Sequence, residues 1–185
     1  TSVPEFYNHT LLKKDLITYK SFQVKIAKKS FYRNTLVVLP TGLGKTIIAV
    51  ILMADVLEKY PDKKILFLAP TKPLVNQHYS TCLKFMDYDI SKFIVFSGSV
   101  PQKKRKMEWG EKQIIFSTPQ TVSNDLNNLV YTLEDVSLII FDECHRAVGE
   151  YSYVNIAKRF NGRILGLTAS PGAKKVKIDE VKNNL

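Results

Sequence analysis

No apolar run in this sequence is long enough to cross a bilayer. The longest, Ile47 to Ala54, has eight residues, against the roughly 20 that a membrane-spanning helix needs. No charged-then-apolar segment opens the sequence in the manner of a signal peptide, and we expect no membrane partner. Cysteine is scarce: Cys82 and Cys144 are the only two, they stand far apart, and they form no CxxC spacing. That argues against a disulfide scaffold and a zinc motif, and for a reducing, intracellular compartment. Acidic residues are also few, 17 against 27 basic ones, which leaves a net charge of +10. Such an excess attracts polyanions by releasing counterions from a phosphate backbone, although a solvated lysine-rich surface has the same sum. There is no repeat and no low-complexity stretch. The first residue is Thr rather than Met, which we read as the mark of an excised or processed piece.

What is present is enough for one well-packed domain: 185 residues, 45% hydrophobic and 24% charged. Short apolar, β-branched runs recur at Leu36–Leu39, Ile65–Leu68, Phe93–Phe96, Ile114–Phe116, Leu138–Phe141 and Ile164–Leu167. They are nearly continuous rather than alternating, as strands buried on both faces are. Helical spacing lies between them, over Thr46–Lys59, Leu74–Met86, Pro101–Trp109, Thr121–Asn127 and Tyr153–Phe160. Strands alternating with helices predict a three-layer α/β domain with a mostly parallel sheet. We place this domain over residues 1–172 and a lysine-rich tail or linker over 173–185. In open α/β sheets ligands bind beyond the carboxyl ends of the strands, so the loops after each run are the places to search.

The first such loop reads Leu39-Pro40-Thr41-Gly42-Leu43-Gly44-Lys45-Thr46 and opens a helix. The phosphate-loop pattern GxxxxGK[ST] fails at its first glycine, where Leu39 stands, but its functional end is intact. Glycines allow the backbone to turn its N–H groups onto phosphates, and the helix start aims its positive end at the same place. Thr41, Gly42, Leu43 and Gly44 would cradle the phosphates of ATP. Lys45 would reach the β- and γ-phosphates, and the Thr46 hydroxyl would ligate Mg²⁺.

The fifth run ends in Asp142-Glu143-Cys144-His145. Apolar residues followed by two carboxylates form a Walker B arrangement: Asp142 would hold Mg²⁺ through water, and Glu143 would polarise the water that attacks the γ-phosphate. We expect Lys45 and Asp142 to meet at neighbouring strand tips. Cys144 beside His145 has no further ligand at metal spacing and is read neither as a metal site nor as a nucleophile. The run Lys103-Lys104-Arg105-Lys106 is read as a solvated helix face, and Trp109 as core or rim packing.

The order of these signals resembles a superfamily 2 helicase, with Thr168-Ala169-Ser170 as the third motif. The finer wording of Ala69-Pro70-Thr71-Lys72-Pro73-Leu74-Val75, Thr118-Pro119-Gln120, Asn124-Asp125-Leu126 and Thr168-Ala169-Ser170-Pro171-Gly172 narrows it further. From about Tyr19 to Gly172 the sequence is similar to the first RecA-like domain of the archaeal Hef, Fanconi anaemia group M and Mph family of DNA-remodelling enzymes. The resemblance implies that Gln23 reads adenine. It implies that Thr71, Lys72, Gly98, Thr118 and Gln120 contact the backbone of one strand of DNA, branched or single-stranded, and that Thr168 and Ser170 couple the ATP site to domain movement. It implies too that His145 belongs to that network, beside the nucleotide.

The same resemblance implies a second RecA-like domain in cis, which supplies arginines to the γ-phosphate; an arginine finger is worth about 10³–10⁵ in rate. No late arginine motif occurs in this sequence, so we expect weak nucleotide binding and almost no hydrolysis from this piece alone. Two readings compete with a DNA helicase or translocase. One is an RNA-directed DECH-box ATPase of the double-stranded-RNA sensor type. The other is a P-loop kinase or non-catalytic nucleotide-binding module, in which Thr118-Pro119-Gln120 and Thr168-Ala169-Ser170 have no task.

Overall fold

The structure is a computed structural model that describes residues 3–40, 42, 44–144 and 151–169. The expectations placed on Thr41, Leu43, His145, Ser170 and the 173–185 tail lie outside the described residues. The chain opens with a two-stranded antiparallel ribbon, β1 (Phe6–Tyr7) and β2 (Ile17–Thr18), followed by α1 (Ser21–Tyr32). It continues β3 (Thr35–Val38), α2 (Gly44–Lys59), β4 (Lys64–Leu68), α3 (Lys72–Phe85), β5 (Phe93–Val95), α4 (Gln102–Glu111), β6 (Ile114–Ser117), α5 (Pro119–Asn127), β7 (Val136–Asp142), α6 (Tyr151–Lys158) and β8 (Arg163–Thr168). The six strands from β3 onward form one sheet in the order β3-β8-β7-β4-β6-β5, and every pair is parallel.

Two clusters of buried side chains cover the two faces of this sheet. Period-two alternation along each strand decides which residue joins which. Ile65 and Phe67 of β4 and Leu138 and Ile140 of β7 pack with α2 and α3. Leu66 and Leu68, and Ile139 and Phe141, pack on the opposite face with Trp109, Val122, Leu126, Tyr153 and Ile156 from α4, α5 and α6. Helix α2 is apolar on all sides and is buried from Lys45 through Ala54, as befits a helix sandwiched between a sheet and further helices. The predicted three-layer α/β domain is the fold observed.

Helix α1 does not show in the hydrophobic pattern. Its buried stripe is Gln23, Ala27 and Ser30, spaced for a helix but made of small and polar residues. The conspicuous Phe22, Val24 and Ile26 alternate as a strand would.

Candidate nucleotide and nucleic-acid site

Parallel pairing levels the carboxyl ends of three strands. Val38 of β3 lies opposite Thr168 of β8, and Leu167 of β8 lies opposite Asp142 of β7. The phosphate loop is anchored to this level by Leu39, whose N–H donates to the Thr168 carbonyl at 3.2 Å. The expectation of neighbouring strand tips is therefore corrected. β8 stands between β3 and β7, and the tip of the predicted coupling motif separates the lysine's strand from the carboxylate's strand.

Gly42 has φ +138°, and a Cβ there would meet nothing within 4 Å. Its glycine is required by conformation, not by space. Leu39, which replaces the first glycine of the pattern, turns its side chain into the core around α2. Lys45 and Thr46 follow on the first turn of α2, and both are buried. Lys45 makes no hydrogen bond or ion pair among the described residues. A buried ammonium in that situation calls for an anion, because desolvation without compensation is costly.

Gln23 is buried against the same loop, its Nε2 donating to the Gly44 carbonyl at 3.3 Å. Beside it lies a cleft of about 210 Å³ lined by Leu16, Thr18, Lys20, Gln23, Gly44 and Ile47. Its outer wall is the β1–β2 ribbon and the start of α1. Strands of two residues leave no periodic trace, so this wall was not visible in the sequence.

Alternation along β7 turns Asp142 to the same face as Leu138 and Ile140, which is the face of α2 and α3. Asp142 is buried, and its Oδ2 accepts a 2.7 Å hydrogen bond from Nε2 of His78, in the middle of α3. Its main-chain carbonyl accepts from the Tyr153 hydroxyl at 3.1 Å on the other side of the sheet. The strand end is thus held from both layers. Asp142 Oδ1 has no hydrogen bond among the described residues, which leaves one carboxylate oxygen for a cation. Glu143 follows with φ +54°, a left-handed turn that takes the chain sharply out of the strand. Cys144 is buried, and its thiol is pushed up to about 12, first by burial and then by the Asp142 carboxylate. It is a packing residue, not a nucleophile.

Mg²⁺ fits this donor set. The described residues contain no cluster of three or more His, Cys, Asp or Glu side chains that could hold a metal. Mg²⁺ does not need one: it is commonly held by one or two carboxylates together with substrate phosphates and water. Asp142 Oδ1, at the tip of β7, and the Thr46 hydroxyl, on the first turn of α2, are hard oxygen donors.

The strand order also separates two groups of motifs. β3, β8 and β7 carry the residues above. The other half of the sheet, β4-β6-β5, carries the predicted nucleic-acid contacts. Helix α3 is capped by Thr71 and α5 by Thr118, each with proline in the first turn and neither with a side-chain cap bond. Their first-turn N–H groups leave the ends of adjacent strands, as suits phosphate binding. Thr71, Lys72, Gly98 and Gln120 are exposed there. Gly98 lies so close to α5 that a Cβ would stand 3.3 Å from Thr121 Oγ1, while that hydroxyl is 3.4 Å from Thr118 Oγ1.

Lys103, Lys104 and Lys106 are exposed, as a solvated basic face requires, and Arg105 alone departs from that reading. It is buried, and its Nε and Nη2 donate to Asp125 Oδ2 and Oδ1 at 2.8 and 2.6 Å. Nη1 donates to the Ser97 carbonyl at 3.2 Å and to that of Val100. The Tyr131 hydroxyl donates to Asp125 at 2.9 Å. Trp109 is packed as expected, its ring stacked on Tyr131 at 3.9 Å. This network fastens the Gly98 loop to α5.

A parallel sheet that levels a glycine-turned loop, a buried lysine and a strand-end carboxylate defines a RecA-like P-loop domain. Residues 10–173 match the family model of the type III restriction enzyme res subunit, and the chain belongs to that family. Within it, the chain is a first RecA-like domain of superfamily 2, on the Hef, Fanconi anaemia group M and Mph branch. It is 41% identical over 177 residues to the ATP-dependent DNA helicase MPH1 of Coccidioides immitis, covering 93% of this chain and 16% of that protein. It is 38% identical over 182 residues to a putative ATP-dependent RNA helicase of Methanocaldococcus jannaschii, covering 97% and 23% respectively. The crystal structure of the Pyrococcus furiosus Hef helicase domain superposes with a TM-score of 0.86 at 45% identity, over 95% of this chain and 38% of that one. The chain therefore spans less than a quarter of each of these two helicases.

Proposed function

We propose that this chain is the ATP-binding half of a motor that moves on DNA and acts on branched or forked structures. The observation that carries the reading is Lys45, buried and without a partner among the described residues, at one end of a row of level strand tips, with Asp142 at the other. ATP would place its phosphates over the loop at Gly42 and Gly44, with Lys45 on the β- and γ-phosphates and its base in the cleft beside Gln23. When bound, Mg²⁺ neutralises charge on the phosphates; Thr46 and Asp142 would hold it. Glu143 would orient the attacking water and take its proton. Thr71, Lys72, Gly98, Thr118 and Gln120 would contact the phosphate backbone of one DNA strand without reading sequence. Thr168, on the strand between β3 and β7, would report nucleotide occupancy to a second RecA-like domain in the same protein. That domain would complete the site, and the protein would work inside the cell.

The relatives named as DNA helicases favour DNA. One relative named as a putative RNA helicase favours the RNA-directed alternative. Both are decided by comparing forked DNA with duplex RNA as activators of ATP hydrolysis by the complete protein. Forked DNA is expected to stimulate and duplex RNA to do so weakly. Lys45→Ala should abolish the DNA-stimulated rate with the fold retained. Undiminished hydrolysis by that variant would remove the site from the reading.

A further inference from the structure

The sheet is divided between nucleotide motifs on β3-β8-β7 and nucleic-acid motifs on β4-β6-β5. A buried side-chain hydrogen bond that crosses the division reaches the strand-end carboxylate itself, from His78 Nε2 to Asp142 Oδ2 at 2.7 Å. His78 sits six residues past Lys72 on the helix whose first turn carries Thr71 and Lys72. Its ring is stacked on Phe67 of β4 with centroids 4.5 Å apart. Nδ1 is buried and has no hydrogen-bond partner among the described residues. Among those residues the ring is fixed by packing on one face and by one polar contact, which is spent on the carboxylate.

We propose that His78 is a positioning residue. It orients Asp142 so that Oδ1 faces the metal, and it joins that carboxylate to the helix that begins at the DNA-contacting edge. This rests on the reading of the site as one for Mg²⁺ with nucleotide. The physical reason is that a buried carboxylate with one oxygen pinned has one orientation to offer. Partners of this kind behind a metal ligand commonly govern affinity by about 10- to 100-fold. A displacement of α3 when a DNA strand settles on Thr71 and Lys72 reaches Asp142 through one rigid ring.

The test reads metal binding rather than turnover. Mn²⁺, as a spin-active substitute, is titrated by electron paramagnetic resonance into the complete protein with saturating ADP. His78→Phe keeps the stack on Phe67 and removes the donor; we expect Mn²⁺ affinity to fall by about 10- to 100-fold. His78→Gln, whose amide nitrogen reaches the position of Nε2, should restore affinity close to that of the unaltered protein. His78→Asn, one methylene shorter, should not, and it serves if the phenylalanine variant does not fold. Adding single-stranded DNA should shift Mn²⁺ affinity in the unaltered protein and leave His78→Asn unmoved. Equal affinity in the Asn, Phe and unaltered proteins overturns the positioning role, and so does failure of Gln to rescue. An equal DNA-induced shift with and without His78 overturns the link to α3. If the unaltered protein shows no saturable Mn²⁺ site with ADP, the reading of the nucleotide site itself falls.

Discussion

Replacing Asp125 with alanine strips the Arg105 guanidinium of its counter-charge in a place water does not reach. Arg105 would lose the 2.8 and 2.6 Å bonds to Asp125 and keep only main-chain carbonyls, at Ser97 and Val100. Tyr131 would lose its acceptor at 2.9 Å. That phenol is held well above its ordinary range, first by burial and then by Asp125, so it remains a donor left without an acceptor. Breaking a buried pair by removing one partner costs about 3–5 kcal/mol. For a domain of this size each kcal/mol lowers the melting temperature by about 2–4 °C, which gives a fall of about 6–20 °C. Urea and thermal unfolding followed by far-ultraviolet circular dichroism would measure it. Replacing both partners, with Arg105→Met and Asp125→Leu together, should cost much less than the sum of the single changes, because no charge is then left stranded. A loss below about 1 kcal/mol for Asp125→Ala, or strict additivity in the pair, would refute the argument that this network is a desolvated ion pair.

Two other predictions are independent of that network. Gly42→Ala should abolish binding of fluorescent nucleotide at a stability cost of no more than about 1–3 kcal/mol, since the strain is local and the added methyl meets no neighbour; unchanged nucleotide affinity would show that the positive φ is not needed. Burial pushes the Cys82 thiol up and holds Cys144 near 12, so native protein at pH 8 should react with iodoacetamide far more slowly than protein in urea. The native rate should keep climbing through pH 10, where an exposed thiol, with an ordinary value of about 8.5, levels off. Native and unfolded rates that coincide at pH 8 would contradict the burial.

The sheet was legible because strands buried on both faces have a composition of their own, and all six apolar runs became strands, displaced by no more than two residues at an end. The loops after them stood out because glycine, lysine and carboxylate recur there at the spacing that phosphate chemistry needs, and the parallel sheet brings their strands level. Strand order was not legible. Nothing local in Ile164–Leu167 tells that β8 inserts beside β3, so the sequence does not show that a strand stands between the one before Lys45 and the one that ends in Asp142. His78 escaped notice because a single histidine on an amphipathic helix has no pattern, and its meaning comes from Asp142 being 64 residues away in sequence and 2.7 Å away in space. Arg105 was hidden inside a run of lysines for the same reason: its partner, Asp125, lies on a different helix.

The late arrival of β8 has a consequence for synthesis. Among the described residues, the strand that lies between β3 and β7 is the last of the sheet to leave the ribosome. Until it docks, β3 and β7 each expose an open edge of unpaired N–H and C=O groups, the kind of edge that captures strands from other chains. A nascent or truncated product ending before Arg163 can own the glycine-turned loop and the Asp142 carboxylate and yet lack the strand that sets them level. It should be a substrate for chaperones, not for ATP.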